Sequence, residues 1–371
     1  MTRGRFAPSP TGRMHLGNVF CALLSWLSAK SKGGEWVLRI EDLDPQRSRR
    51  EYALQLMDDL QWLGLPWDGE PVWQSQRGHI YEEYLHRLQE MGLTYPCYCT
   101  RADIMATQAP HETDGRVVYK GTCRPKYRDA ACSEEGVDNS LNVQRSTFNV
   151  TPATTRLIVP DCTIPFTDDH YGRHDINLAE HCGDYIIRRK DGAWAYQLAV
   201  VVDDALMGVT EIVRGRDLLL SSPQQIHLRN LLFQSTENSV QSTEYRVQMT
   251  DDLLKQETDS LNATSLTHQT VPLRQGDERS GGGGLTAHHS PLTVDFFHHP
   301  LLCNSEGQRL CKRDKSMDLG YLRGTGITPQ EIIGKLAYLA GLTDTTTPIT
   351  PSELLPLFSW EKVPTEDIIL K

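Results

Sequence analysis

Arg5-Phe6-Ala7-Pro8-Ser9-Pro10-Thr11-Gly12-Arg13-Met14-His15-Leu16-Gly17-Asn18 compresses a strand end, a proline–glycine turn, a histidine and a helix start into fourteen residues. Such a junction aims free backbone N–H groups and the positive end of a helix dipole at one point, which suits phosphate. His15 sets an imidazole beside that point. Around it, residues 3–7 read as a short buried strand, and Val19, Phe20, Leu23, Leu24 and Leu27 recur at helical spacing until Gly33-Gly34. Residues 35–40, Glu-Trp-Val-Leu-Arg-Ile, give a second buried strand. Strand–helix–strand implies a right-handed parallel unit, so the fold class expected is α/β.

Amphipathic helices follow over 49–63, through Leu54, Met57, Leu60 and Leu63, and over 77–91, through Ile80, Tyr84, Leu85, Leu88 and Met91. Residues 94–183 change character, with short strands (Thr155–Val159, Thr163–Phe166) and a cysteine cluster; they read as a smaller α+β domain inserted into the first. The first domain, 1–93, then resumes over 184–233. There the dense run Ala195–Val202 suits a central parallel strand, and Gln224–Phe233 a helix. Residues 234–291, rich in Ser, Thr, Gln and Asn and holding Gly281-Gly282-Gly283-Gly284, are expected to form a flexible insertion. A last segment, 292–371, restarts at Val294-Asp295-Phe296-Phe297. It includes Thr328-Pro329-Gln330-Glu331, a capping box with proline at the first helical position.

The net charge of −10 argues against a general nucleic-acid coat protein, although local basic patches can bind RNA. Two candidates are Lys120, Arg124, Lys126 and Arg128, and Arg309, Lys312, Arg313, Lys315 and Arg323; for any one of these residues, ordinary solvated surface is the commoner role. No apolar run reaches bilayer length and no secretory leader precedes the first strand, so a cytoplasmic, monomeric protein without membrane contact is expected. The nine cysteines are too scattered for a disulfide framework. Only Cys97, Cys99 and Cys123 cluster. Three soft thiols suit zinc, which takes four ligands, and spacing alone leaves zinc an even proposition.

The opening string resembles the nucleotide-binding signature of class I aminoacyl-tRNA synthetases, in the wording of the glutamyl branch. Gly307-Gln308-Arg309-Leu310-Cys311-Lys312-Arg313 is similar to the second class I signature, with Arg309 in place of its first lysine and Cys311 in place of its serine. The resemblance implies a Rossmann-like nucleotide-binding domain. ATP would be held by His15, Gly17, Asn18 and Lys312, with His15 and Lys312 stabilising charge at the reacting phosphate and Mg²⁺ accompanying the nucleotide. It also implies glutamate contacts from Arg5, Phe6, Ala7, Pro8 and Ser9. Further contacts would come from Glu41 in Arg39-Ile40-Glu41-Asp42-Leu43-Asp44, from Tyr196, and from Arg214 in the strand-turn Val213-Arg214-Gly215. Without the resemblance, Asp42 and Asp44 read as loop caps and Tyr196 as a packed core tyrosine.

Cys97-Tyr98-Cys99 followed by Tyr119-x-x-x-Cys123 resembles the zinc site of the short glutamyl-branch paralogues that modify queuosine. This implies one structural zinc per chain on Cys97, Cys99, Tyr119 and Cys123; His111 is the chemical rival to Tyr119. Like those paralogues, the chain is expected to lack an anticodon-binding module. The implied activity is tRNA-independent activation of L-glutamate by ATP, then glutamate transfer to queuosine in the anticodon stem-loop of tRNA(Asp). Two alternatives remain at this point. One is a divergent glutamyl-tRNA synthetase charging the tRNA 3′ end; the other is a zinc-stabilised tRNA-binding pseudoenzyme.

Overall fold

A computed structural model describes residues 1–106, 118–125, 152–233, 294–310 and 317–370. The expected insertion 234–291, His111, Cys132 and the loop residues Cys311, Lys312, Arg313 and Lys315 lie outside the described residues.

The first strand, β1 (Arg3–Phe6), pairs in parallel with β2 (Glu35–Ile40), in the register Arg3↔Glu35 to Phe6↔Leu38. Between them runs α1 (Leu16–Ser31), apolar almost all round because it is buried almost all round, through Leu16, Val19, Phe20, Leu23, Leu24 and Leu27. It stops at Gly33, whose φ of +65° lets the backbone turn left-handed and deliver the chain into β2. Two amphipathic helices follow, α2 (Arg50–Trp62) and α3 (Gly78–Glu90), with β3 (Val72–Trp73) between them. Leu54 and Met91 sit on their outer faces, 52% and 41% exposed, so the buried stripes are narrower than the sequence periodicity implies.

The main sheet has the strand order β3-β2-β1-β9-β10-β6-β7, where β9 is Glu211–Gly215, β10 Asp295–His299, β6 Thr163–Asp168 and β7 Gly172–Asn177. Strands β3 to β6 in that order are parallel, and β7 returns antiparallel on β6. The hairpin β6–β7 therefore extends the main sheet, joined through the pair Phe296↔Asp168. A separate antiparallel sheet holds β4 (Thr94–Cys97), β5 (Thr154–Leu157) and β8 (Tyr185–Arg188).

From β1 the chain proceeds to β2 and β3 on one side, and returns to β9 on the other. The crevice at the carboxyl ends of β1 and β9 is thus the topological switch point, where ligands bind in open α/β sheets.

One element departs from expectation. The run Ala195–Val202 is not a parallel strand; it lies in α6 (Tyr196–Leu206). Every residue from Leu198 to Asp204 is buried, so the segment carries no hydrophobic period from which its conformation could be read. The acids at its end supply the physical reason. On a strand, adjacent Asp203 and Asp204 would point to opposite faces; on the helix both reach one buried cluster of arginines.

The C-terminal residues fold back on the core. The helix Pro329–Leu339 opens with the expected capping box and buries Ile332, Ile333 and Leu336. Trp360 stacks on Phe297 at 4.9 Å and donates to Ser28 on α1, and β12 (Ile368–Ile369) pairs with β11 (Leu302–Cys303).

Candidate active site

His15 caps α1. Its Nδ1 accepts from the Gly17 N–H at 3.1 Å, while its own N–H donates to Asn18 Oδ1 at 3.2 Å. This is a capping box in which an imidazole replaces the usual hydroxyl, and it spends the Asn18 carbonyl on the helix end. With Nδ1 accepting, a neutral ring carries its proton on Nε2. Gly17 is required by proximity: a Cβ there would lie 3.0 Å from the His15 ring. Gly17→Ala should therefore displace the imidazole even though alanine favours the helix more than glycine does. ATP-dependent turnover should fall by on the order of tenfold to a hundredfold, with the thermal midpoint unchanged.

Both ends of the second signature loop meet this turn. Leu310 approaches Gly17 from one side, its Cβ 3.9 Å from where a Gly17 Cβ would sit. On the other side the Leu319 N–H donates to the Met14 carbonyl at 2.9 Å, and Asp318 bridges His15. Arg309 and Arg323 are not free phosphate ligands: Arg309 pairs with Asp217, and Arg323 with Asp58 and Asp59 at 2.6 Å. In the other basic patch, Arg124 lies 3.6 Å from Asp184.

The crevice beside this turn collects the sequence-derived residues from four elements. Arg5 stands on β1, Glu41 follows β2, Tyr196 opens α6 and Arg214 stands on β9. Arg5 donates to the Val213 carbonyl at 3.1 Å and lies 3.5 Å from Asp204. Fully buried Arg39 bridges Asp204 at 2.6 Å and Glu41 at 3.1 Å. The Glu41 backbone is pinned in turn by its N–H on the Pro8 carbonyl, 3.0 Å away. Tyr196 is 37% exposed, and its hydroxyl interacts electrostatically with Arg214, Glu41 and Arg5. Its place on the first turn of a helix corrects the core-strand reading, because the turn presents the ring to the crevice. Phe6 faces away, stacked on Trp36 at 5.9 Å in the core, so only its backbone borders the site. Asp42 and Asp44 are loop caps, accepting from Ser75 and from Gln46 and Arg47.

Charge is unevenly distributed here. Burial raises the Glu41 carboxyl above the ordinary glutamate range despite Arg39 and Arg5, so its anion is only partly compensated. Arg214, 3% exposed, is held by His298 Nε2 at 3.0 Å, Gln225 Oε1 at 2.7 Å and Ser222 Oγ at 2.8 Å, all neutral acceptors. It has no salt bridge among the described residues, and burial lowers its pKa. The crevice thus offers an under-compensated anion near an under-compensated cation.

Residues 1–269 match the family model for the catalytic domain of class I tRNA synthetases of the E and Q type. Proteins named glutamyl-Q tRNA(Asp) synthetase align along nearly the whole chain. The one from Symbiobacterium thermophilum is 38% identical over 99% of this chain and 95% of its own length. That from Nitratidesulfovibrio vulgaris is 36% identical over 100% and 95%. The chain belongs to the glutamyl-Q tRNA(Asp) synthetase family. A relative of the same name from Neisseria meningitidis is 47% identical over 62% of this chain and 72% of its own. The crystal structure of a glutamate tRNA ligase from Elizabethkingia meningosepticum superposes with a TM-score of 0.67 at 24% identity. It covers 100% of this chain and 67% of that one, so the two share a fold.

In this family member the cysteine cluster is assembled by the three-stranded sheet. Cys97 ends β4, Cys99 follows it, and Tyr119 forms an isolated bridge with Gly183. Gly183 has φ +60°, and a Cβ there would strike the Tyr119 carbonyl at 2.2 Å. The three Sγ atoms lie within 4.8 Å of one another. The Tyr119 hydroxyl is 3.4 Å from Cys97 Sγ and 3.9 Å from Cys99 Sγ. A tetrahedral zinc with thiolate bonds near 2.3 Å needs ligand atoms about 3.7 Å apart, so this set fits. Burial opposes ionisation of Cys123, yet hydrogen bonds from the Tyr98 backbone and the Tyr119 hydroxyl hold its thiol at about 7. Cys162 and Cys182 stand outside the cluster.

Sequence reasoning did not single out Asp203, Asp204, Asp168, His298, Ser222 or Gln225. Two signals were available: paired acids ending an apolar run, and paired histidines inside an apolar strand.

Proposed function

We propose that the protein activates L-glutamate with ATP, without requiring tRNA, and transfers the glutamyl group to queuosine at the wobble position of tRNA(Asp). The observation that carries this reading is the charge pattern of the crevice. An ammonium beside Glu41 and a carboxylate beside Arg214 restore balance at both ends, and an amino acid with an anionic side chain supplies them.

The α-carboxylate then attacks the α-phosphorus of ATP, and pyrophosphate departs. His15, the positive end of the α1 dipole at Gly17 and Asn18, and Lys312 stabilise the charge that builds on the phosphate oxygens, with Mg²⁺ on the nucleotide. In the second step a hydroxyl of the queuosine cyclopentene ring attacks the activated carbonyl, and AMP leaves. The catalytic body itself docks on the anticodon stem-loop of the tRNA.

The test is glutamate-dependent ATP–pyrophosphate exchange without tRNA, followed by mapping of labelled glutamate on tRNA(Asp). Exchange without tRNA and label in the anticodon loop support the reading. Exchange that appears only with tRNA, or label at the 3′ end, sinks it in favour of a glutamyl-tRNA synthetase.

Cys97, Cys99, Cys123 and Tyr119 would hold one zinc in a structural role, because four protein ligands leave no position for water. Metal analysis should return one zinc per chain, and chelation should lower the thermal midpoint. Tyr119→Phe should weaken zinc retention in competition with a chromogenic chelator; unchanged retention transfers the fourth position to His111.

A further inference from the structure

The acceptor of Arg214 Nε is itself part of a buried chain. His298 Nε2 receives the Arg214 N–H at 3.0 Å, and an arginine can only donate. The imidazole must therefore be the neutral Nδ1–H tautomer. Its Nδ1 lies 2.6 Å from Asp168 Oδ2, which accepts that proton. Both residues are fully shielded. Burial pushes the His298 pKa down to about 4, so it stays neutral in the working range. Asp168 is fixed independently: it accepts the backbone N–H groups of His170, Tyr171 and His298, where the β6–β7 hairpin meets β10.

We propose that Asp168 and His298 are positioning residues for Arg214, orienting its guanidinium through a tautomer-locked imidazole without neutralising its charge, so that the cation selects an anionic substrate side chain. A carboxylate in direct contact would orient Arg214 equally well but would cancel the charge the substrate must meet. Placing a neutral ring between Asp168 and Arg214 separates the two effects. The same logic explains why the other two acceptors are an amide and a hydroxyl. The hairpin thereby helps set the shape of the amino-acid pocket. This inference rests on the reading of Arg214 as a glutamate contact.

The test is the Michaelis constant for glutamate in tRNA-independent pyrophosphate exchange, with the constant for ATP, the rate at saturation and the glutamate-to-glutamine preference measured in parallel. In Asp168→Asn the amide can donate to Nδ1, which pushes the ring proton onto Nε2 against the arginine. The glutamate constant should rise about tenfold or more and the preference over glutamine should shrink, with the ATP constant unmoved. His298→Gln restores an acceptor whatever residue 168 is. Adding Asp168→Asn to His298→Gln should therefore change the glutamate constant by less than about threefold. A merely structural Asp168 would cost the same in both backgrounds, and that result overturns the proposal. Should Asp168→Asn not fold, His298→Leu and His298→Gln carry the test: only the leucine variant should lose glutamate affinity, and equal losses overturn it. Arg214→Lys separates the two readings. If it retains full glutamate affinity, the substrate role of Arg214 fails and the proposal with it; if it loses affinity while Asp168→Asn does not, the proposal alone fails.

Discussion

Arg214→Leu should reduce kcat/KM for glutamate in pyrophosphate exchange by roughly a thousandfold, the scale of about 4 kcal/mol for removing one partner of a buried ionic contact. The same substitution should leave the fold as stable as before. Arg214 is 3% exposed, donates to His298, Gln225 and Ser222 and has no salt bridge among the described residues, so its cation is desolvated with no carboxylate in contact to offset the cost. Removing it deletes three hydrogen bonds and also that penalty. An arginine serving structure would show the opposite pattern, with a fallen urea midpoint and intact kinetics. Measuring both quantities on one variant distinguishes them.

Asp204→Ala should act in the reverse sense, costing about 3–5 kcal/mol of stability before any effect on substrate can be read. Asp204 is the carboxylate against which fully buried Arg39 is placed at 2.6 Å, with Arg5 at 3.5 Å. Deleting it removes the ion-pair partner of Arg5 and leaves buried Arg39 with Glu41 at 3.1 Å and Asp203 at 3.9 Å. Burial alone would raise the Asp204 pKa, but Arg39 and Arg5 outweigh it and hold the carboxyl below the ordinary aspartate value. A depressed folded-state pKa means that this stability is fully present above the unfolded value, near 3.9, and is lost as pH falls through the folded one. Urea titrations of wild type and Asp204→Ala should therefore converge as the pH is lowered below about 4. Parallel curves down to that range would remove the ion pair from the account.

These two neighbours show how one crevice assigns different tasks to like groups. Arg39 lies between two carboxylates whose pKa values move in opposite directions, Asp204 down and Glu41 up. The first is committed to structure. The second keeps an under-compensated anion at the mouth of the site, where an ammonium can meet it.

Much of the site was legible because its chemistry is local. The proline–glycine turn, His15 and Gly17 form a helix terminus out of consecutive residues, and consecutive residues can be read as a unit. The capping box at Thr328 was legible on the same ground. The cysteine pattern named its members, although their convergence depends on β4, on Gly183 and on the Tyr119 bridge.

What the linear chain did not reveal are interactions between residues far apart in it. Asp168 and His298 are separated by 130 positions yet lie 2.6 Å apart, and Arg39 meets Asp204 across 165. The run Ala195–Val202 was misread for the same reason, since a segment buried on every side carries no periodic trace of its conformation. From the sequence alone come the α/β class and the helix-start turn, because each is written in short-range spacing, and, through the family resemblance, the candidate glutamate and metal ligands. Only the tertiary structure decides which charges compensate one another, because burial makes an unpaired charge costly and strand order selects the distant group that lies beside it.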